Sequence, residues 1–195
     1  MKRTGVRNGA PTPRVSVPSP TPRPMPYPEP LVAPMRDELT RLDVRELRTA
    51  EAVDALLDEA QSGTTLAIVN SVCGCAAANA RPAVALVQNV EPRPDRLVTV
   101  FAGQDLEATA RLREYLAGIQ PSSPSMFLLK DGDPVFALER RHIEGRSASA
   151  IAADLKGAFE TFCGPDGADV PDEPLRPEAA APAARDLPST FRSIL

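Results

Sequence analysis

The chain has 195 residues, 43% of them hydrophobic, and a net charge of −4. That suffices for one domain with its own core, while the acidic balance, few aromatics and absent Trp argue against a nucleic-acid surface. Three cysteines, an odd number, do not make a secreted disulfide framework; in the cytosol a close thiol pair is more often catalytic or redox-sensing.

Proline marks the boundaries. Of 22 prolines, nine fall within 11–30, six within 165–188 and only seven between, so the foldable unit is 29–163. Residues 1–28 carry Lys2, Arg3, Arg7, Arg14 and Arg23 and no acidic residue. They read as a disordered or polyproline-like basic tail, and a start at Met25 would remove most of it. Residues 164–195 read as a second disordered tail, Pro-rich and acidic, with Phe191 and Leu195 as a weak docking motif. No apolar run approaches the ~20 residues of a membrane span, and no apolar segment follows the basic start. The expected location is therefore cytoplasmic, with no membrane and no nucleic-acid partner.

Inside the unit, Leu31, Met35, Leu39 and Leu42 recur at helical spacing, predicting a helix over 31–42. A short edge strand over 44–47 follows. Thr49 is placed to cap a helix lined by Val53, Leu56, Leu57 and Ala60, which Gly63 ends. The near-continuous apolar run over 64–70 predicts a central strand buried on both faces. A helix over 73–89 comes next, kinked at Pro82, whose ring lacks an N–H and clashes with the carbonyl of Ala78. A strand over 97–102 leads to Asp105, expected to cap a helix over 106–118. Two runs around Asp131-Gly132 form a hairpin over 126–140. Ser147 caps a last helix carrying Ile151, Leu155, Phe159 and Phe162, stopped by Gly164-Pro165. Strand–helix–strand units with a closing hairpin predict an α/β domain with a mixed sheet and helices on both faces.

The chemistry centres on Cys73-Gly74-Cys75, between the first strong strand and an alanine-rich helix. A thiol there meets the positive end of the helix dipole and unpaired N–H groups, and both favour thiolate, the nucleophilic form. Cys75, one residue further in, is expected to be the less acidic and less accessible thiol. Two thiols one residue apart can close a small, strained disulfide, helped by the backbone freedom of Gly74. Such a ring implies a reduction potential well above thioredoxin's ~−270 mV. The residues leave alternatives open. The pair can be inert buried thiols, or soft ligands of a metal-binding or metal-carrier protein, with Cys163 and His142 completing a zinc set.

The wording of the motif is more specific. Val69-Asn70-Ser71-Val72-Cys73-Gly74-Cys75-Ala76 with Asn79-Ala80-Arg81-Pro82 resembles the bacilliredoxin family. So do Met35-Arg36-Asp37-Glu38-Leu39-Thr40, Val100-Phe101-Ala102-Gly103-Gln104-Asp105, Pro121-Ser122-Ser123-Pro124-Ser125 and Ile143-Glu144-Gly145-Arg146-Ser147. The similarity spans about 27–163, and the departures are the two tails and Ala78 in place of glycine. The resemblance implies a thioredoxin-like three-layer sandwich with an extra N-terminal helix, and thiol–disulfide oxidoreductase activity. It implies no metal or organic cofactor. Its partners would be S-thiolated client proteins and a low-molecular-weight thiol, bacillithiol, taken as co-substrate; some members have been regarded as disulfide isomerases. Cys73 would be the nucleophile and Cys75 the resolving thiol. Pro124, as a cis-proline after Ser123, would face the thiols and pair its backbone with a bound chain, with Gly74 close by. Arg81, about two helical turns after Cys73, is a candidate for binding the carboxylates of the small thiol, with a solvated or structural arginine as the equal alternative. His142 is expected to pack or sit at the surface, and Cys163 to stand apart from the pair.

Overall fold

A computed structural model describes residues 26–177. Most of the basic tail, the alternative start at Met25, and Phe191 and Leu195 lie outside the described residues. Helix α1 (Glu29–Thr40), strand β1 (Arg45–Glu46), helix α2 (Ala50–Glu59) and strand β2 (Thr64–Asn70) come first. A π-helical turn (Ala76–Ala80) then runs into helix α3 (Arg81–Leu86). Strand β3 (Arg96–Phe101), helix α4 (Leu106–Tyr115), strands β4 (Ser125–Lys130) and β5 (Asp133–Leu138), and helices α5 (Arg140–Ile143) and α6 (Ala148–Phe162) follow.

The sheet order is β1-β3-β2-β4-β5. Strand β2 is central, parallel to β3 and antiparallel to β4, and all seven of its residues are buried, as its apolar run predicts. Alternation along the strand feeds two cores. Leu66 and Ile68 join Val84 of α3, Leu128 of β4 and Phe159 of α6. Ala67 and Val69 join Leu56 of α2, Val100 of β3 and Leu112 of α4. Helices α3 and α6 thus cover one face and α2 and α4 the other, with α1 reaching the first core through Leu39. This is the thioredoxin-like three-layer sandwich with its added N-terminal helix.

Local chemistry sets the element ends. Thr49 and Ser147 accept the N–H groups of Ala52 and Ala150, each at 3.2 Å, as N-caps do. Asp105 stands at the N-cap of α4, but its side chain makes no cap there. Both of its oxygens go instead to Arg36, at 2.8 Å each. Arg36 corrects the reading of α1. The buried line is Val32, Arg36 and Leu39, while Leu31 is exposed. The guanidinium is 3% exposed, meets Glu46 at 2.5 Å and Glu29 at 3.1 Å, and lies 5.1 Å from the Phe101 ring centroid. The expected kink at Pro82 takes the form of the π-helical turn just before it. The widened turn accommodates a residue that has no N–H to donate to Ala78 and whose ring crowds that carbonyl.

The chain also departs from expectation after Cys163. Residues 164–177 do not leave the domain. Ala168 donates to the Thr161 carbonyl at 2.8 Å, and Lys130 Nζ donates to the carbonyls of Gly167 and Ala168 at 2.9 and 2.7 Å. Leu175 then pairs with the free edge of β5, donating to Val135 O and accepting from Ala137 N–H, both at 2.9 Å. The physical reason is the edge itself, whose unpaired backbone groups take a partner from the following chain.

Arg36→Ala should destabilise the fold by about 3 kcal/mol, because it strands the nearly buried Asp105 carboxylate, while Glu46 keeps Arg48. Urea denaturation of the variant checks this, and a loss under about 1 kcal/mol would show the pair to be dispensable.

Candidate active site

Topology brings three segments to one end of the sheet. The cysteine loop leaves the C-terminal end of β2. Strand β4 runs antiparallel with Ser125 opposite Val69, so Ser123-Pro124 lies at that same end. Strand β5 is antiparallel to β4 and so parallel to β2, which delivers α5 and Arg140 there as well. The Ser123–Pro124 peptide is cis, as the resemblance implies, and Pro124 is buried.

The two thiols are free and half-buried, with the sulfurs 2.8 Å apart across a hydrogen bond. Ser71 Oγ donates to Cys73 Sγ at 3.2 Å. Burial alone would raise the Cys73 thiol. Hydrogen bonds from Cys75, Ser71 and the Ala76 N–H, aided by the Arg140 charge, reverse that and bring it below the ordinary cysteine value. At Cys75, burial, the hydrogen bond to Cys73 and the charge on that sulfur all push upward, against Arg140. Cys73 is therefore the more acidic thiol of the pair and Cys75 the more reluctant to ionise. A thiolate is the attacking species in disulfide exchange, and the neighbouring S–H is a stored proton and a second thiol.

The other predicted residues fall into place unequally. Gly74 is exposed, has no left-handed backbone angle, and has open space where a side chain would begin. In the dithiol form its conformational freedom is not used. Arg81 is a correction: it is buried, and its guanidinium is taken up inside the protein. It donates to Glu38 at 2.7 and 3.3 Å, to Asn70 Oδ1 at 3.1 Å and to the Ser71 carbonyl at 3.2 Å. It fixes the cysteine loop from beneath and does not present itself to a small thiol. His142 is buried, its Nδ1 accepting the Glu139 N–H at 3.0 Å in the capping box of α5. Burial and the charge of Arg141 hold its imidazole below the usual histidine value. Cys163 is buried beside Thr64 and Asp95, at the opposite end of β2 from Cys73, and burial pushes its thiol up. The zinc set left open by the sequence is thus not assembled, and among the described residues no three metal-ligating side chains converge.

Two contributors escaped the sequence reading. Ser71 sits inside the quoted motif and could have been found from its spacing, two residues before the nucleophile. Arg140 read as the end of the hairpin's second strand, whereas it begins the short helix α5, which no local signal announces.

A thioredoxin-like sheet that ends in two touching thiols of unequal acidity defines a dithiol exchange protein. Residues 27–163 match the family model described as disulphide isomerase. The chain is 58% identical over 165 residues to a bacilliredoxin of Salinibacter ruber, covering 84% of this chain and 96% of that protein. It is 53% identical over 134 residues to a bacilliredoxin of Bacillus licheniformis, covering 68% and 92% respectively. Among solved structures it is similar to thioredoxin of Fasciola hepatica, at 19% identity and a TM-score of 0.43, covering 58% of this chain and 98% of that one. The chain belongs to the bacilliredoxin family, a family of thiol–disulfide oxidoreductases. Among the described residues, no helix is long and apolar enough to cross a membrane.

Cys73 should titrate below the ~8.5 of a free cysteine and below Cys75. Each lost donor weakens the charged form, so Ser71→Ala and Cys75→Ala should each raise the Cys73 value. Alkylation rate against pH reads this directly. A Cys73 that reacts no faster than Cys75 at neutral pH would remove its standing as nucleophile.

Proposed function

We propose that the protein strips a low-molecular-weight thiol from S-thiolated client proteins in the cytoplasm, with bacillithiol as that thiol. The observation that carries this reading is the opposite shift of two touching thiols, Cys73 down and Cys75 up. The Cys73 thiolate attacks the small-thiol sulfur of the client's mixed disulfide. A bond forms from Cys73 to that sulfur, the client sulfur leaves as thiolate, and it takes a proton from Cys75 or solvent. A second thiol then restores Cys73. Either Cys75 attacks and expels the small thiol, leaving a Cys73–Cys75 disulfide for an external thiol to reduce, or a free small thiol attacks directly and leaves as its own disulfide. In this reading the incoming disulfide enters by the open space over Gly74, and the client chain pairs with the backbone at Ser123-Pro124. Exchange of this kind needs no metal and no organic cofactor. Closing a ring with one intervening residue favours an exchanger over a strong reductant.

The Cys75→Ser variant, incubated with an S-thiolated protein, should stop with the small thiol on Cys73 and the client released reduced. Intact-mass spectrometry identifies the adduct. A stable Cys73–client conjugate would point to isomerase chemistry at the client sulfur, and an unmodified Cys73 would overturn the dethiolation reading.

A further inference from the structure

At the end of the sheet that carries the thiols lies a groove of about 260 Å³. Gln120, Pro121 and Ser122 form one wall, and Glu139, Arg140, Arg141 and Glu144 the other. Ser122 Oγ accepts the Arg140 N–H at 3.1 Å, which ties the walls together. The groove opens at the reacting end of the sheet, since Ser122 immediately precedes Ser123-Pro124 and the Arg140 charge acts on both sulfurs. Its volume is below the ~300 Å³ of typical small-ligand sites, so it suits the end of a small thiol and not a folded client.

The charges select the ligand. Arg140 holds Glu144 at 3.2 and 3.3 Å. Arg141 and Arg176 both donate to Glu139 Oε1, each at 3.0 Å. Three guanidiniums therefore face two carboxylates, and the cluster has one positive charge in excess. Arg141 also donates through Nε to His142 Nε2 at 3.2 Å, yet it is the most exposed of the three guanidiniums. Its side chain is 61% exposed, exposed pairs contribute little, and Glu139 keeps Arg176 when Arg141 turns away. Arg176 belongs to the segment after the family-matched region, so the tail supplies the excess charge.

We propose that this groove binds a carboxylate of the small thiol while that thiol is bonded to Cys73, with Arg141 and Arg140 as its cationic partners and Arg176 freeing Arg141 for the task. The proposal rests on the reading of Cys73 as the thiol-accepting sulfur. It makes the protein selective for anionic over neutral thiols, because a planar guanidinium matches a carboxylate in two-point hydrogen bonding.

The test uses the full chain carrying Cys75→Ser, equilibrated with equal amounts of oxidised glutathione and oxidised 2-mercaptoethanol. In each exchange the Cys73 thiolate bonds to one sulfur of the disulfide and the other leaves as a thiolate. Mass spectrometry gives the ratio of carboxylated to neutral adduct. Adding Arg141→Gln should lower that ratio about tenfold, as expected for one charge-assisted contact, and Arg176→Gln should lower it about threefold. A ratio unmoved by Arg141→Gln overturns the subsite. A fall with Arg141→Gln and none with Arg176→Gln overturns the part assigned to the tail. If the ratio responds but the wild-type chain releases no small thiol from an S-thiolated protein, the subsite stands and the dethiolation reading falls.

Discussion

The site depends on one buried cation at the end of the central strand. Where β2 stops, the chain must leave the sheet with its backbone groups satisfied. Arg81 does this from below, donating to the Ser71 carbonyl and to Asn70 Oδ1. Asn70 Oδ1 also accepts the Ser71 N–H at 2.8 Å, and its amide donates to the Met35 carbonyl of α1 at 3.3 Å. Glu38, also on α1, neutralises Arg81. One guanidinium thus joins α1, the strand end and α3, and the loop carrying Cys73 is held on three sides. A buried charge is costly unless paired and fully hydrogen-bonded. That cost makes the arrangement specific, because few other placements of the loop would satisfy Arg81.

On this fixed base, short-range donors lower the Cys73 thiol. The sequence pointed to a helix N-terminus as the cause. One backbone N–H of that terminus, from Ala76, does take part. The hydrogen bonds from Cys75 and Ser71 rank ahead of it, and the helix that follows begins as a π-helical turn. The asymmetry between the thiols is then self-reinforcing. Charge on Cys73 raises Cys75, and the proton kept on Cys75 stabilises the charge on Cys73. The two sulfurs are thereby held at unequal acidity.

What the sequence revealed follows from the range of each interaction. The caps at Thr49 and Ser147, the apolar run of β2 and the hairpin at Asp131-Gly132 are local signals, and each appears where it was expected. Arg36 gave no signal of its burial, and Arg81 was open between ligand binding, solvation and a structural role, because arginine is seldom buried. Their burial is decided by Glu46, Asp105, Glu38 and Asn70, which only folding brings close. Asp105 shows the same conflict from the other side: good N-cap chemistry gives way to a bidentate ion pair with Arg36. Helix α5 is too short for periodicity to reveal, and its position comes from sheet topology alone.

The segment after Cys163 was misread for a related reason. Proline and acidic composition describe a chain that cannot build its own core, but they say nothing about a chain offered a ready partner. Strand β5 is such a partner, an edge with Val135 O and Ala137 N–H unclaimed until Leu175 pairs with them. The pairing sets Arg176 against Glu139. Glu139 caps α5, and the next residue along is Arg140, whose charge acts on both thiols. Two backbone hydrogen bonds and one ion pair thereby connect a segment beyond the family-matched residues to the electrostatics of the cysteine pair.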